Sequence, residues 1–276
     1  MTLAETDLIV FAANRARGHV SVTVAARRGG TRRSRVAEEG SLRVRFPGAC
    51  AGAQEALLVN TAGGVAGGDR LRIDVALEER ARLVLTTAAA EKIYRSDGPD
   101  ASIAVTATLA PDAELTWLPH ETIIFHRARL SRTIDIAMAP TSRLLFAETV
   151  IFGRSAMGEV VRDGHFADRW RVRRDGRLVF ADHFRLDGAI ADRLGEAAVA
   201  AGHVALGTVL IVPGEDAAVG AVRAVAGQFR GEAGISSWNG ITLARLAAPD
   251  GAVLRRDLVV LLAALGHGPL PRLWLN

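Results

Sequence analysis

The sequence predicts a mainly β protein: one β-rich domain over residues 1–276, with about two α-helices in its last third. Three observations carry that expectation. From about residue 15 to residue 190, apolar and polar residues alternate with period two in short runs. Gly, Pro and Asp turns such as Pro111-Asp112 and Asp175-Gly176 separate the runs. No helical pattern intervenes between them, which argues against a doubly wound α/β sheet and leaves an antiparallel or mixed β region.

The elements follow in order. His19–Val24 and Ser41–Phe46 alternate, then Leu71–Leu77, Arg82–Thr87, Ala101–Leu109, Glu114–Trp117, Thr133–Met138 and Trp170–Arg173. Glu148 and Asp182 fall on strands of the same region. Residues 191–276 mix strand and helix. Val204–Val212 reads as a buried strand ended by Pro213. Glu215–Phe229 has apolar residues at helical spacing behind an acidic start that suits the helix dipole. Ile241–Leu246 is a strand, and Ala252–Leu265 a second helix stopped by Gly266 and Gly268.

Composition narrows the function classes. The hydrophobic fraction of 49% supports a globular core, and aromatics at 5% leave it to Val, Leu, Ile and Ala. Lys+Arg is 34 against Asp+Glu 30, a net +4, and Lys92 is the only lysine. The dense arginine cluster, Arg27, Arg28, Arg32, Arg33 and Arg35, surrounds a Gly29-Gly30 turn without interleaved aromatics, so nucleic acid is not expected as a partner. One cysteine, Cys50, allows neither an internal disulfide nor a CxxC zinc site. Met1–Ala13 carries Glu5 and Asp7 where a secretion signal needs positive charge. The apolar run Leu258–Leu265 is far shorter than the ~20 residues that span a bilayer. A reduced, cytoplasmic protein without membrane association is the expectation.

Candidate sites are few. Gly63-Gly64-Val65-Ala66-Gly67-Gly68-Asp69 fits neither the Walker nor the dinucleotide spacing, no lysine follows it, and the next segment alternates as a strand. It is expected to be a turn between strands, with Asp69 emerging as a cap or facing a cavity. The seven histidines form no HxH or HExxH pair. No GxSxG elbow is present. A small-molecule hydrolase or isomerase using Asp69 or Glu121 as base is the rival to a non-enzymatic protein.

Five blocks in register resemble the urease accessory protein family UreD, also called UreH. Asn60–Asp69 is similar to its "P-x-GG-x-x-GGD" block through Gly63, Gly64, Gly67 and Gly68. Thr86–Ser96 resembles "TT-x-A-x-TK-x-YRS" through Lys92, Tyr94, Arg95 and Ser96. Trp117, Pro119 and Glu121 match "WLPQE-x-I", and Gly153, Arg154, Gly158 and Glu159 match "GR-x-x-x-GE". Pro271-Arg272-Leu273-Trp274 resembles the closing "PR-x-W". Ala62, Glu91 and His120 depart from the pattern. The resemblance implies stacked, β-helix-like or sandwich-like strand layers. It further implies a nickel-insertion scaffold, not an enzyme, that binds apo-urease and a UreF–UreG complex and works with GTP hydrolysis. No tightly bound cofactor is expected, only nickel(II) in transit. Scattered carboxylates release nickel where imidazole or thiolate clusters would trap it. By the same resemblance, Asp69, Glu148 and Asp182, with Glu91, are expected to line a water-filled conduit. The helix at Leu258–Leu265 and the Pro271–Trp274 tail are candidates for UreF contact or for core.

Overall fold

The computed structural model describes residues 14–50, 52–267 and 270–275. The reading of Met1–Ala13 lies outside the described residues. The architecture is mainly β, and the chain winds between two facing sheets.

The strands in chain order are β1 (Arg17–Arg27), β2 (Gly30–Gly40), β3 (Leu42–Cys50), β4 (Ala53–Asn60), β5 (Arg70–Leu77), β6 (Arg82–Thr87), β7 (Glu91–Ile93), β8 (Ala101–Leu109) and β9 (Glu114–Trp117). They continue with β10 (Thr122–Ile124), β11 (Arg129–Met138), β12 (Arg143–Phe152), β13 (Gly164–Arg174) and β14 (Arg177–Gly188). Helix α1 (Ile190–Gly195), β15 (Ala205–Val212), α2 (Asp216–Ala224), β16 (Glu232–Trp238), β17 (Ile241–Ala248) and α3 (Gly251–Ala264) complete the fold.

One sheet has the order β14-β13-β11-β8-β5-β1-β2, and the other runs β16-β17-β15-β12-β9-β6-β4-β3. The central strands are parallel in both: β1, β5, β8, β11 and β13 in the first, and β4, β6, β9 and β12 in the second. The chain passes from β5 to β6, back to β8, across to β9, back to β11 and across to β12. Each circuit therefore adds one parallel strand to each sheet, giving β-solenoid-like coils. Short β7 and β10 pair in parallel at one corner, and β10 also pairs with the end of β12. The expected period-two strands are present, and their mixed pairing is the alternative realised. Antiparallel hairpins flank the stack: β1–β2, β3–β4, β13–β14 and β16–β17.

Alternation explains the core. Val20, Val22 and Val24 of β1, Leu71, Ile73, Val75 and Leu77 of β5, and Val105 and Ala107 of β8 all point inward and are buried. Trp117 stacks on Phe146 at 5.1 Å, and Phe146 meets Trp170 edge-on at 5.1 Å, so three of the few large rings fill one layer. A second apolar cluster lies on the outer side of the β12–β15–β17 region, beneath α3, through Leu254, Leu258, Leu261 and Leu262. Asp250 caps α3 by accepting from Val253 N at 2.9 Å.

The helix expected over Glu215–Phe229 ends at Ala224 and continues as a 3-10 turn at Ala226–Gln228. Gly220 and Gly227 weaken that segment, because glycine costs the most backbone entropy in a helix. In the tail, Pro271 and Trp274 are buried in the core. Trp274 is buried, donates to Thr86 Oγ1 at 3.2 Å and Leu118 O at 3.0 Å, and lies beneath the Arg255 guanidinium. No helix among the described residues is long and apolar enough to cross a membrane.

Candidate functional site

Asp69 ends the glycine run as the chain leaves β4 for β5. Its Oδ1 accepts from Ala16 N at 2.8 Å, and its Oδ2 from Ala66 N at 2.7 Å. The carboxylate thus closes its own turn and ties the segment before β1 to it. The glycines permit close approach. A Cβ on Gly64 would meet the Tyr94 ring at 2.4 Å, and one on Gly67 would meet Ser96 Oγ at 1.9 Å. Val65 bridges to Ile93, and Tyr94 Oη donates to Gly63 O at 2.9 Å. The first two sequence blocks are therefore halves of one packed unit.

The later blocks gather beside it. Tyr94 meets Phe125 edge-on at 5.2 Å, and the Arg154 guanidinium lies over the Phe125 ring at 4.2 Å while donating to Glu159 Oε2 at 2.7 Å. Arg95 pairs with Asp97 on the surface. Glu121 accepts from Arg255 Nη1 of α3 at 3.0 Å. Both carboxylates considered as catalytic bases, Asp69 and Glu121, are engaged in holding the fold.

Two cavities lie between the sheets. The first, of about 290 Å³, is bounded by Asn60, Gly63, Gly64, the 87–92 segment, Pro119, His120 and Thr122, with β5 and β8 behind. The second, of about 360 Å³, lies between β13–β14 and β15–β17, with Asp168, Asp182, Thr208, Glu232 and Arg245 in its wall. Arg132 and Glu148 line both.

The expected conduit residues distribute as follows. Glu91 lines the first cavity, where Asn60 Nδ2 reaches its two oxygens at 3.1 and 3.2 Å. Burial, reinforced by the nearby charge of Asp69, raises its pKa to about 7 against the opposing Asn60 and backbone hydrogen bonds. Asp182 lines the second cavity, accepting from Arg245 Nη2 at 2.7 Å and His183 N at 3.0 Å. Glu148 stands between them. Asp69 lines neither of these two cavities, and both of its oxygens accept from backbone amides.

Two residues at the centre escaped the sequence reading. Arg132 donates through Nε and Nη2 to Asp168 at 3.0 and 2.6 Å, and through Nη1 to Glu148 at 2.5 Å. Trp117 Nε1 donates to the other oxygen of Glu148 at 2.8 Å. Arg132, Glu148 and Asp168 are 5%, 6% and 7% exposed, so this ion cluster is interior. Burial pushes the Glu148 pKa up, Arg132 pulls it back, and Asp168 adds to the rise. Burial alone would lower Arg132, but its two carboxylates overcome that and hold it even more firmly charged. A visible signal existed. Arg132 and Asp168 occupy inward positions of their strands (Leu130-Arg132-Ile134 and Phe166-Asp168-Trp170), where alternation calls for apolar residues.

Chemically, the site holds single acids, Glu91 and Asp182, on either side of the Glu148–Arg132–Asp168 ion cluster. Among the described residues, no three or more His, Cys, Asp or Glu side chains gather in a metal-holding cluster. Such a set offers a cation successive weak contacts.

The comparisons agree over the whole described fold. The family model for the UreD urease accessory protein matches residues 16–275. A urease accessory protein UreD of Rhodopseudomonas palustris (strain BisB5) is 55% identical over 267 residues, covering 97% of this chain and 94% of that protein. The UreD of R. palustris (strain HaA2) is 54% identical over the full length of both chains. A urease accessory protein named UreD 3 from Bradyrhizobium sp. (strain BTAi1 / ATCC BAA-1182) is 52% identical over 97% of this chain and 96% of its own. With its sequence blocks packed into one unit and its relatives matched along nearly all of their length, the chain belongs to the UreD family of urease accessory proteins, which serve urease maturation.

Proposed function

We propose that this protein is a cytoplasmic, non-enzymatic scaffold through which nickel(II) travels to apo-urease. One observation carries the reading: two cavities share Arg132 and Glu148 in their walls, with Glu91 on one and Asp182 on the other. Exposed Gly63 and Lys92 border the first cavity, and exposed Glu232 and Arg245 border the second, so each cavity reaches the surface. A cation on this route meets at most a pair of carboxylates at any point, at Glu148 and Asp168, and no cluster of three or more ligands among the described residues, so it is guided without being kept. His120, in the wall of the first cavity, adds a single borderline ligand.

The partners on this reading are UreF, UreG through UreF, and the urease structural subunits, with activation dependent on GTP. The family to which the chain belongs supports this assignment. Nickel is cargo, so no resident cofactor is called for.

The test is urease activation with Glu91→Gln and Asp182→Asn, each checked for folding and for co-purification with UreF. Activation should fall severalfold in each and further in the double variant, with the complex intact. Wild-type activation in the double variant would remove the conduit. Asp69→Asn discriminates further: any loss of activation should track lost stability, since Asp69 supports the wall without lining it.

A further inference from the structure

We infer that Arg132 is the gate of the passage: its guanidinium, clamped between Glu148 and Asp168, closes the junction of the two cavities, and a divalent cation crosses by taking its place. The inference rests on the reading of the cavities as a metal route.

Arg132 and Glu148 are the residues common to both walls, while Thr122 belongs to the first cavity alone and Asp168 to the second alone. The junction is therefore occupied by a side chain already bound as a cation would be. Nε and Nη2 take Asp168, Nη1 takes Glu148, and Nη1 also lies 3.4 Å from Thr122 Oγ1.

Charge decides what can pass. One guanidinium between two carboxylates leaves the buried cluster at −1. A divalent ion added beside the guanidinium would bring two cations together in a medium that screens them poorly. A divalent ion in place of the guanidinium brings the two carboxylates to zero. A monovalent ion gains no charge over the guanidinium and lacks its forked N–H donors, so the junction stays closed to it. The displaced head has somewhere to go: the second cavity is about 360 Å³ and presents Glu232, with Asp182 already paired to Arg245 beside it.

The decisive variant combines Arg132→Met with Asp168→Asn. It removes the guanidinium yet keeps the buried net charge at −1 through Glu148. Its crystal structure should show one continuous void. In a reconstituted mixture of full-length protein, maturation partners and apo-urease, the initial rate of activation at limiting nickel should rise severalfold. Arg132→Lys, with a smaller head that cannot fork, should lie between wild type and the double variant. Far-UV circular dichroism, the denaturant midpoint and co-purification with the partners establish that each variant is folded and assembled. A folded, assembled double variant that activates at or below the wild-type rate, or keeps two separate cavities, overturns the gate. Should the double variant not fold, an Arg132→Lys rate at or below wild type overturns it equally. Failure of the gate differs from failure of the conduit. In the first case Glu91→Gln and Asp182→Asn still lower activation; in the second they do not.

Discussion

Asp69 and Glu148 are buried carboxylates of the same sandwich, held by opposite means. Asp69 is held by backbone amides of Ala16 and Ala66, which the fold itself fixes in place. Glu148 is held by one indole and by the guanidinium of Arg132, which stands at the end of a long, rotatable stem. The first arrangement has no second state, because the amides cannot leave without unfolding the turn. The second can exchange one cation for another. On the proposed reading, the partner of a buried acid, more than the acid, tells whether it is architecture or pathway.

The largest expected effect comes from Glu148→Ala. It leaves Trp117 Nε1 without a partner and Arg132 with one carboxylate in the interior. Loss of one member of a buried ion set costs about 3–5 kcal/mol, visible as a drop in the denaturant midpoint. Asp69→Ala should cost roughly 2–4 kcal/mol, through two stranded backbone donors. Asp69→Asn, which keeps one acceptor oxygen, should recover part of it. If Asp69→Ala proved the milder in stability but the harsher in urease activation, the division of labour between the two acids would be reversed.

Glu91 supplies a test in pH. Its pKa rises from 4.5 to about 7 on folding, so between those values the folded chain binds a proton that the unfolded chain does not. That contribution is fully present below pH 4.5 and is lost as pH rises through about 7, a change of roughly 2–4 kcal/mol. Glu91→Gln should therefore flatten the stability profile across this window, read from midpoints at successive pH. A profile unchanged by the substitution would show that Glu91 sits in water and not in a partly dry wall. The smallest effect is Tyr94→Phe, which removes the bond to Gly63 O while leaving the ring against Gly64. About 0.5–1 kcal/mol is expected, because the hydroxyl can turn to water when unfolded.

Much of the fold was legible, since period two reports which face a residue takes. It named β1, β3, β5, β6, β8, β9, β11, β13, β15 and β17, at least in part. It is silent on neighbours. Parallel coils and antiparallel hairpins bury the same alternate residues, so the circuit from sheet to sheet could not be read from Leu71–Leu77 or Arg82–Thr87 alone. β12 was placed only through Glu148 and without bounds, because most of Arg143–Phe152 is buried on both faces and carries no alternation. β2 was obscured by its exposure, with nearly every residue facing water. Of the site, resemblance supplied Glu91, Glu148 and Asp182. Arg132 and Asp168 were visible only as charges standing in an apolar phase.

The same exposed β2 bears on how the protein keeps to itself. A strand of eleven residues at the margin of a sheet offers unmet amides and carbonyls to any other strand that comes near. Here that margin carries Arg32, Arg33, Arg35, Glu38 and Glu39. Docking a second copy there would strip water from these side chains, a cost for every charge left unpaired. Charged side chains along an open edge are one of the means by which a sheet is kept from pairing with other strands, and a chain made neutral along this margin should associate more readily, as light scattering would read.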